Sequence, residues 1–327
     1  EPPPMRRRLL ELLACPDCSG NITGDFEEEL IEGELHCLGC RRSFPVTNGV
    51  PTLLPEALGR QTAKVAGQFA QQWKHYNEQR AEYREQFLDW IEPVRPEFFQ
   101  DKVVLDGGCG KGRHLRVASE FGPKLVVGLD LGESVYVAKS ACEHIDNVEV
   151  VRGDLLNVPF REGVFDYTYS IGVLHHLPDP RRGFDQITGA VKPGGRVSAW
   201  VYGLENNEWI VNLVDPFRKK ISGHLPRPVL RGLSWFLAGI LYWTIRLVYL
   251  PCDSVFPGLR LPMKAYLLYV SRFPHRELET IVYDQLSPEI AYYLPRESFE
   301  AWFEELDEVV IGWHNEVSWR GFARKPG

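Results

Sequence analysis

Val103-Val104-Leu105-Asp106-Gly107-Gly108-Cys109-Gly110-Lys111-Gly112 is the stretch that decides the fold of this chain. A short apolar run closed by an acid reads as a buried strand. The four glycines behind it read as a tight turn into a helix, because glycine accepts positive φ and lets a ligand come close to the backbone. The spacing is Gly108-x-Gly110-x-Gly112, and Arg113 stands where a dinucleotide-binding loop needs a third small residue. Downstream, Leu125–Asp130, Val148–Arg152, Phe165–Ser170 and Gly195–Val201 are further short apolar strands, separated by helix-favouring segments. Strands that alternate with helices imply a parallel sheet covered on both faces.

Two acids near the loop narrow its chemistry. A carboxylate at Asp106 would repel a pyrophosphate but suits a ligand with an amino group and a sulfonium. Asp130 closes the next strand 20 residues after Gly110, where an acid accepts from both ribose hydroxyls. Gly153-Asp154-Leu155, Phe165-Asp166, Leu174-His175-His176-Leu177 and Lys192-Pro193-Gly194-Gly195 follow in order. With these landmarks, residues 73–201 and the terminal hairpin resemble the class I S-adenosylmethionine-dependent methyltransferases.

The resemblance implies an α/β fold with a seven-stranded Rossmann-like sheet, methyl transfer as the activity and S-adenosylmethionine as cofactor. By it, Asp106, Gly108 and Gly110 lie along the methionine moiety, Asp130 binds the ribose, and Gly107 and Leu131 are further cofactor-binding residues. Asp154 approaches the adenine amine and Leu155 packs on the base. Gly107 departs from the family, which more often carries a side chain there.

Working outward toward the N-terminus, Cys15-Pro16-Asp17-Cys18 and Cys37-Leu38-Gly39-Cys40 are two CxxC knuckles. Two residues between thiolates let both sulfurs reach one ion, and four such ligands close a tetrahedral, structural zinc site. Cys15, Cys18, Cys37 and Cys40 are therefore the expected Zn2+ ligands, while His36 is out of register with them. With Phe44-Pro45-Val46 and Gly49-Val50-Pro51, the segment resembles the small zinc-ribbon proteins that activate tRNA and translation-factor methyltransferases, here fused to its client.

Four regions follow from this reading: a zinc ribbon over 1–55, a helical connector and cofactor cover over 56–100, a methyltransferase core over 101–203 and 300–327, and a helical cap over 204–299. Trp73 and Tyr76 on the connector are candidates to cover the cofactor. His175 and His176 are candidate general bases at the sheet edge where ligands bind. Asp284 and Tyr293, in a segment that resembles the lid of small-molecule methyltransferases ahead of a last helix, Phe299 to Leu306, are candidates for the acceptor pocket, and Tyr202, leaving the fifth strand, faces the same pocket. The chain closes with a hairpin, Glu308–Trp313 and Val317–Arg324.

Composition sets the outer limits. The chain has 327 residues, 44% hydrophobic and 25% charged, with net charge −7, and that acidity argues against a nucleic-acid backbone as the main partner. Seven cysteines, four of them paired as knuckles, indicate a reducing compartment and a cytoplasmic protein. Fourteen uncharged residues separate Arg231 from Arg246, short of the roughly 20 that a spanning helix needs, so no transmembrane helix is expected. The cap is nevertheless apolar on two sides of residues 229–250, as suits a lid over a lipophilic small-molecule acceptor or peripheral contact with a membrane. The alternatives are an RNA methyltransferase, since some carry an N-terminal zinc module, and a cofactor-binding scaffold that activates a partner without catalysis.

Overall fold

The computed structural model describes residues 2–59, 82–287 and 290–327, so Trp73 and Tyr76 lie outside the described residues. The chain forms two compact units: Glu1–Val201 with Glu300–Ile311 and Arg320–Gly327, and Tyr202–Phe299 with Gly312–Trp319.

Thirteen strands are described: β1 (Met5–Arg6), β2 (Ile22–Thr23), β3 (Glu29–Leu30), β4 (Gly33–Cys37), β5 (Ser43–Thr47), β6 (Val50–Leu53), β7 (Val103–Gly107), β8 (Leu125–Asp130), β9 (Val148–Gly153), β10 (Phe165–Ile171), β11 (Val191–Tyr202), β12 (Asp307–His314) and β13 (Ser318–Arg324). Eleven of them make one sheet, in the order β12-β13-β11-β10-β7-β8-β9-β6-β5-β4-β2. The expected seven strands are the run from β12 to β9. Four more extend the sheet because β6 pairs in parallel with β9, Thr52 with Arg152 and Leu53 with Gly153. Without β6, the β9 edge would present a row of unpaired backbone groups.

The central strands read as unbroken apolar runs because both faces are covered. Val104, Leu105, Val126, Val127, Leu129, Val150 and Val151 are all fully buried, each contributing about 1.5–3 kcal/mol. The strand expected at Gly195 starts at Val191 instead. A register shift, with Phe165 opposite Val191 and Tyr167 opposite Arg196, absorbs Pro193 and the left-handed Gly194.

The N-terminal segment is joined to the core by more than the sheet. Ala14 N donates to Pro159 O at 3.0 Å and Arg161 N to Leu12 O at 2.9 Å. Beneath them Lys139 Nζ lies 3.1 Å from the fully buried Glu149, which also faces Arg8 at 3.5 Å and Arg6 at 3.7 Å.

The second unit is helical. Its longest element, Arg227–Val255, runs 29 residues through a π-helical stretch at Ile245–Tyr249. By length and composition it could cross a membrane, with mean hydropathy 1.4 over its best window and 17% of that window buried. The expectation that the apolar stretch stops at Arg246 is thereby corrected. The Arg246 guanidinium stacks 3.5 Å over the Tyr242 ring, so the charge is carried along the helix and does not end it. Pro251 follows directly on the π-helical turns, whose wider winding relieves a proline's clash with the preceding turn. Leu230 packs on Tyr283 and Leu286, and Ala238 and Ile245 pack with Val270, Phe273 and Leu278. The expected last helix starts three residues early, as Arg296–Glu300, and passes into a 3-10 turn at Ala301–Phe303.

Candidate functional site

Strand β7 carries Asp106 to the sheet edge and ends in the glycine turn. Gly108, Gly110 and Gly112 all have positive φ. Gly108 N and Cys109 N donate to Leu129 O at 2.7 and 3.0 Å, which lays the loop over the end of β8. A Cβ at Gly108 would fall 2.4 Å from Val173, and one at Gly107 would fall 3.2 Å from Leu155. Gly107, the departure from the family pattern, is what lets Leu155 pack this closely.

Asp130 accepts from Gly110 N at 3.0 Å on Oδ2, and from Gly132 N at 2.8 Å and Ser134 Oγ at 3.1 Å on Oδ1. A carboxylate offers about four lone-pair sites, so Oδ2 retains one for a further donor. Asp106 is 2% exposed and its Oδ2 has no hydrogen-bond partner among the described residues. Burial, reinforced by the charge on Asp130, pushes its carboxyl up to about 8. A buried, unsatisfied carboxylate oxygen beside a glycine cradle fits an incoming cationic amino group. The loop, Asp106 and Asp130 thus match the demands of S-adenosylmethionine.

Asp154 is buried and binds its own turn, accepting from Leu156 N at 2.9 Å and from Asn157 Nδ2 at 3.4 Å. Leu155 is buried and Leu131 half-buried, its carbonyl accepting from Arg152 at 3.1 Å. Asp166, the fourth-strand landmark, is structural: it accepts from Val103 N and Lys192 Nζ, each at 2.8 Å. His175 and His176 follow β10 in a 3-10 turn, both buried, with ring centroids 4.3 Å apart. Burial drives His175 well below the usual imidazole range, so it is neutral at physiological pH. Val173 against Gly108 and Tyr169 beside Asp106 gave no sign in the sequence because they are ordinary core types.

In the second unit, Tyr202 and Tyr293 stack with centroids 5.4 Å apart, and Tyr293 donates to Gln285 Oε1 at 2.7 Å. Asp284 and Tyr266 lie within electrostatic reach of Tyr202. Burial raises the hydroxyls of Tyr202, Tyr266 and Tyr293, which keeps all three protonated. Arg218 is almost fully buried and paired with Asp215.

The four cysteine sulfurs at the N-terminus lie within 4.8 Å of one another. Gly39 N and Cys40 N point at Cys37 Sγ at 3.3 and 3.4 Å. Although burial opposes it, these donors bring the Cys37 thiol down to about 7. A Cβ at Gly20 would fall 3.0 Å from Cys37 Sγ and 3.1 Å from Cys18 Sγ, so a side chain there would crowd the sulfurs. Four convergent thiols without an open position fit a structural zinc ion. His36 is bonded to Ser43 instead, at 2.9 Å.

Comparison with known proteins gives two family matches: a methyltransferase domain over residues 105–199 and a Trm112p-like protein over residues 6–49. The chain is similar to the sterol 24-C-methyltransferase of Schizosaccharomyces pombe, 32% identical over 37% of this chain and 31% of that protein. It is 33% identical to the probable tRNA methyltransferase 9B of Mus musculus, over 33% of this chain and 24% of that one. Among solved structures, an S-adenosylmethionine-dependent methyltransferase of Mesorhizobium loti matches at 30% identity and TM-score 0.32, over 35% of this chain and 51% of that chain. The chain spans about a third or less of the length of the two curated relatives. Residues 105–199 are thus a methyltransferase domain, carried in one chain with a Trm112p-like module at residues 6–49.

Proposed function

We propose that this protein transfers a methyl group from S-adenosylmethionine to a small lipophilic acceptor. The donor reading rests on the unsatisfied Oδ2 of Asp106 beside the glycine cradle. When bound, S-adenosylmethionine supplies an electrophilic methyl on a cationic sulfur. Asp106, once ionised, holds the amino group, and the remaining lone pair of Asp130 accepts a ribose hydroxyl. Asp154 fixes the turn that presents Leu155 to the base. His176 takes a proton where the acceptor must lose one, and the neutral His175 ring packs against it. Otherwise alignment of nucleophile and methyl carries most of the rate.

The acceptor reading rests on the aromatic cluster of the second unit. Tyr202, Tyr266 and Tyr293 present rings and neutral hydroxyls, a lining that suits an apolar molecule with one weakly polar group. A second reading, an RNA acceptor, is favoured by the Trm112p-like module and by the similarity to the mouse protein.

One experiment separates them. Methyl-labelled S-adenosylmethionine is added with the protein to a host-cell extract, which is then divided into RNA, protein, lipid and small-molecule fractions. We expect label among lipids or small molecules. Label in RNA overturns the acceptor assignment, and donor binding with no label in any fraction leaves a scaffold without catalysis.

A further inference from the structure

The outer face of the helix Arg227–Val255 is apolar along most of its length. Phe236, Ile240, Trp243 and Leu247 recur at helical spacing and are 59%, 52%, 59% and 69% exposed. Trp235 before them and Val255 and Phe256 after them are exposed to the same degree. From Trp235 to Val248, at 1.5 Å per residue, this stripe is about 20 Å long. Soluble surfaces rarely present a contiguous apolar patch of that size.

The charges around the stripe are one-sided. Between residues 215 and 276 there are ten Lys and Arg and two acids, Asp215, which pairs with Arg218 and Lys219, and Asp253, so this segment carries +8 in a chain whose total is −7. Asp253 is itself paired with Lys264 at 2.7 Å. Lys219, Lys220, Arg227, Arg260 and Arg272 are exposed. Aromatic side chains flanked by basic ones are what the headgroup layer of a membrane accommodates.

We propose that residues 227–256 dock on an anionic lipid bilayer, with the helix lying in the interfacial plane. The Trp and Phe stripe enters the acyl boundary and the basic side chains meet headgroup phosphates. The helix does not span, because its opposite face, through Leu230, Ala238 and Ile245, is committed to its own unit. The helix it packs on, His275–Leu286, bears Arg276, Glu277, Glu279 and Asp284. A second copy is disfavoured as the occupant, since two faces of the same strong positive charge repel. Nucleic acid would leave Ile240, Leu247 and Val255 without any contact they can use. The inference goes beyond the acceptor assignment and stands whichever acceptor is found.

The test is flotation of the full chain with phosphatidylcholine vesicles, with and without phosphatidylserine. We expect co-flotation with the phosphatidylserine vesicles alone, weakening as salt rises. Phe236→Ser with Trp243→Ser should cut the bound fraction about tenfold or more while the thermal transition is unchanged. Lys220→Glu with Arg227→Glu should abolish the preference for phosphatidylserine. Absence of flotation with either vesicle, equal flotation with both, or retention of RNA in place of vesicles would each overturn the proposal. So would a dimer in sedimentation that the Phe236 and Trp243 variant dissociates without any vesicle binding. None of these outcomes reads methyl transfer, so failure here is distinguishable from failure of the proposed activity.

Discussion

In the first unit Lys139 and Glu149 lie 3.1 Å apart with 3% and 0% of their side chains exposed, whereas in the second unit Trp235, Phe236 and Trp243 each stand 59% exposed. One region buries charge and the other displays hydrocarbon and aromatic surface. Burying an ion costs several kcal/mol unless a partner is well placed, and an exposed Trp forgoes the burial that stabilises a core. Each arrangement is retained where something other than self-packing is gained. In the first unit, Glu149 and Lys139 fix the Trm112p-like module to the core, and Asp106 waits for a cation. In the second, the exposed face waits for a medium other than water.

The largest expected effect lies in the first unit. Structural zinc contributes about 10–16 kcal/mol in small modules, so chelation should unfold residues 9–54 and free β6 from β9. Limited proteolysis should then cut that segment first, while the helical signal of the second unit persists; uniform resistance to protease would break the contrast between the units. Next, Lys139→Ala leaves Glu149 buried with more distant cations and should destabilise by about 3–5 kcal/mol in denaturant unfolding. A loss near zero would mean that water reaches the carboxylate.

Asp106 gives an effect that grows with pH. Its folded carboxyl titrates near 8, well above an unfolded Asp at about 3.9. The folded state therefore holds the proton over a range in which the unfolded state has lost it. The stabilisation this group provides is complete below about pH 4 and declines as pH rises toward 8. Binding of a cationic amino group requires the ionised form, so donor affinity should climb by up to about tenfold per pH unit below 8 and then level off. Calorimetric titration across pH would show this, and Asp106→Asn should flatten the profile. The smallest effect belongs to the second unit: Trp243→Ser should change unfolding stability by less than about 0.5 kcal/mol, because the ring packs on little. A large loss would show that this surface is a structural face of the unit.

Much of the methyltransferase domain was legible because its signals are local. Gly108 must be glycine for its φ, and Asp106 and Asp130 close runs that read as apolar strands. The cysteine knuckles were equally plain, since ligand spacing is set by the ion. What escaped the sequence was non-local or cumulative. The parallel pairing of Thr52 and Leu53 with β9 leaves no periodicity of its own, because it depends on which edge is free. The apolar stretch of the long helix was cut short by treating Arg246 as its end. A guanidinium stacked on Tyr242 and a π-helical stretch let the helix continue. The orphaned oxygen of Asp106 could be found only once its surroundings were known.

The pairing of β6 with β9 also changes how the two modules obey mass action. A module supplied as a separate chain is bound in a concentration-dependent equilibrium and can be shared among several partners. Here docking is a unimolecular event at a fixed effective concentration. Dilution does not separate the pair, stoichiometry is locked at one to one, and no other chain can take the module's strand while it is engaged.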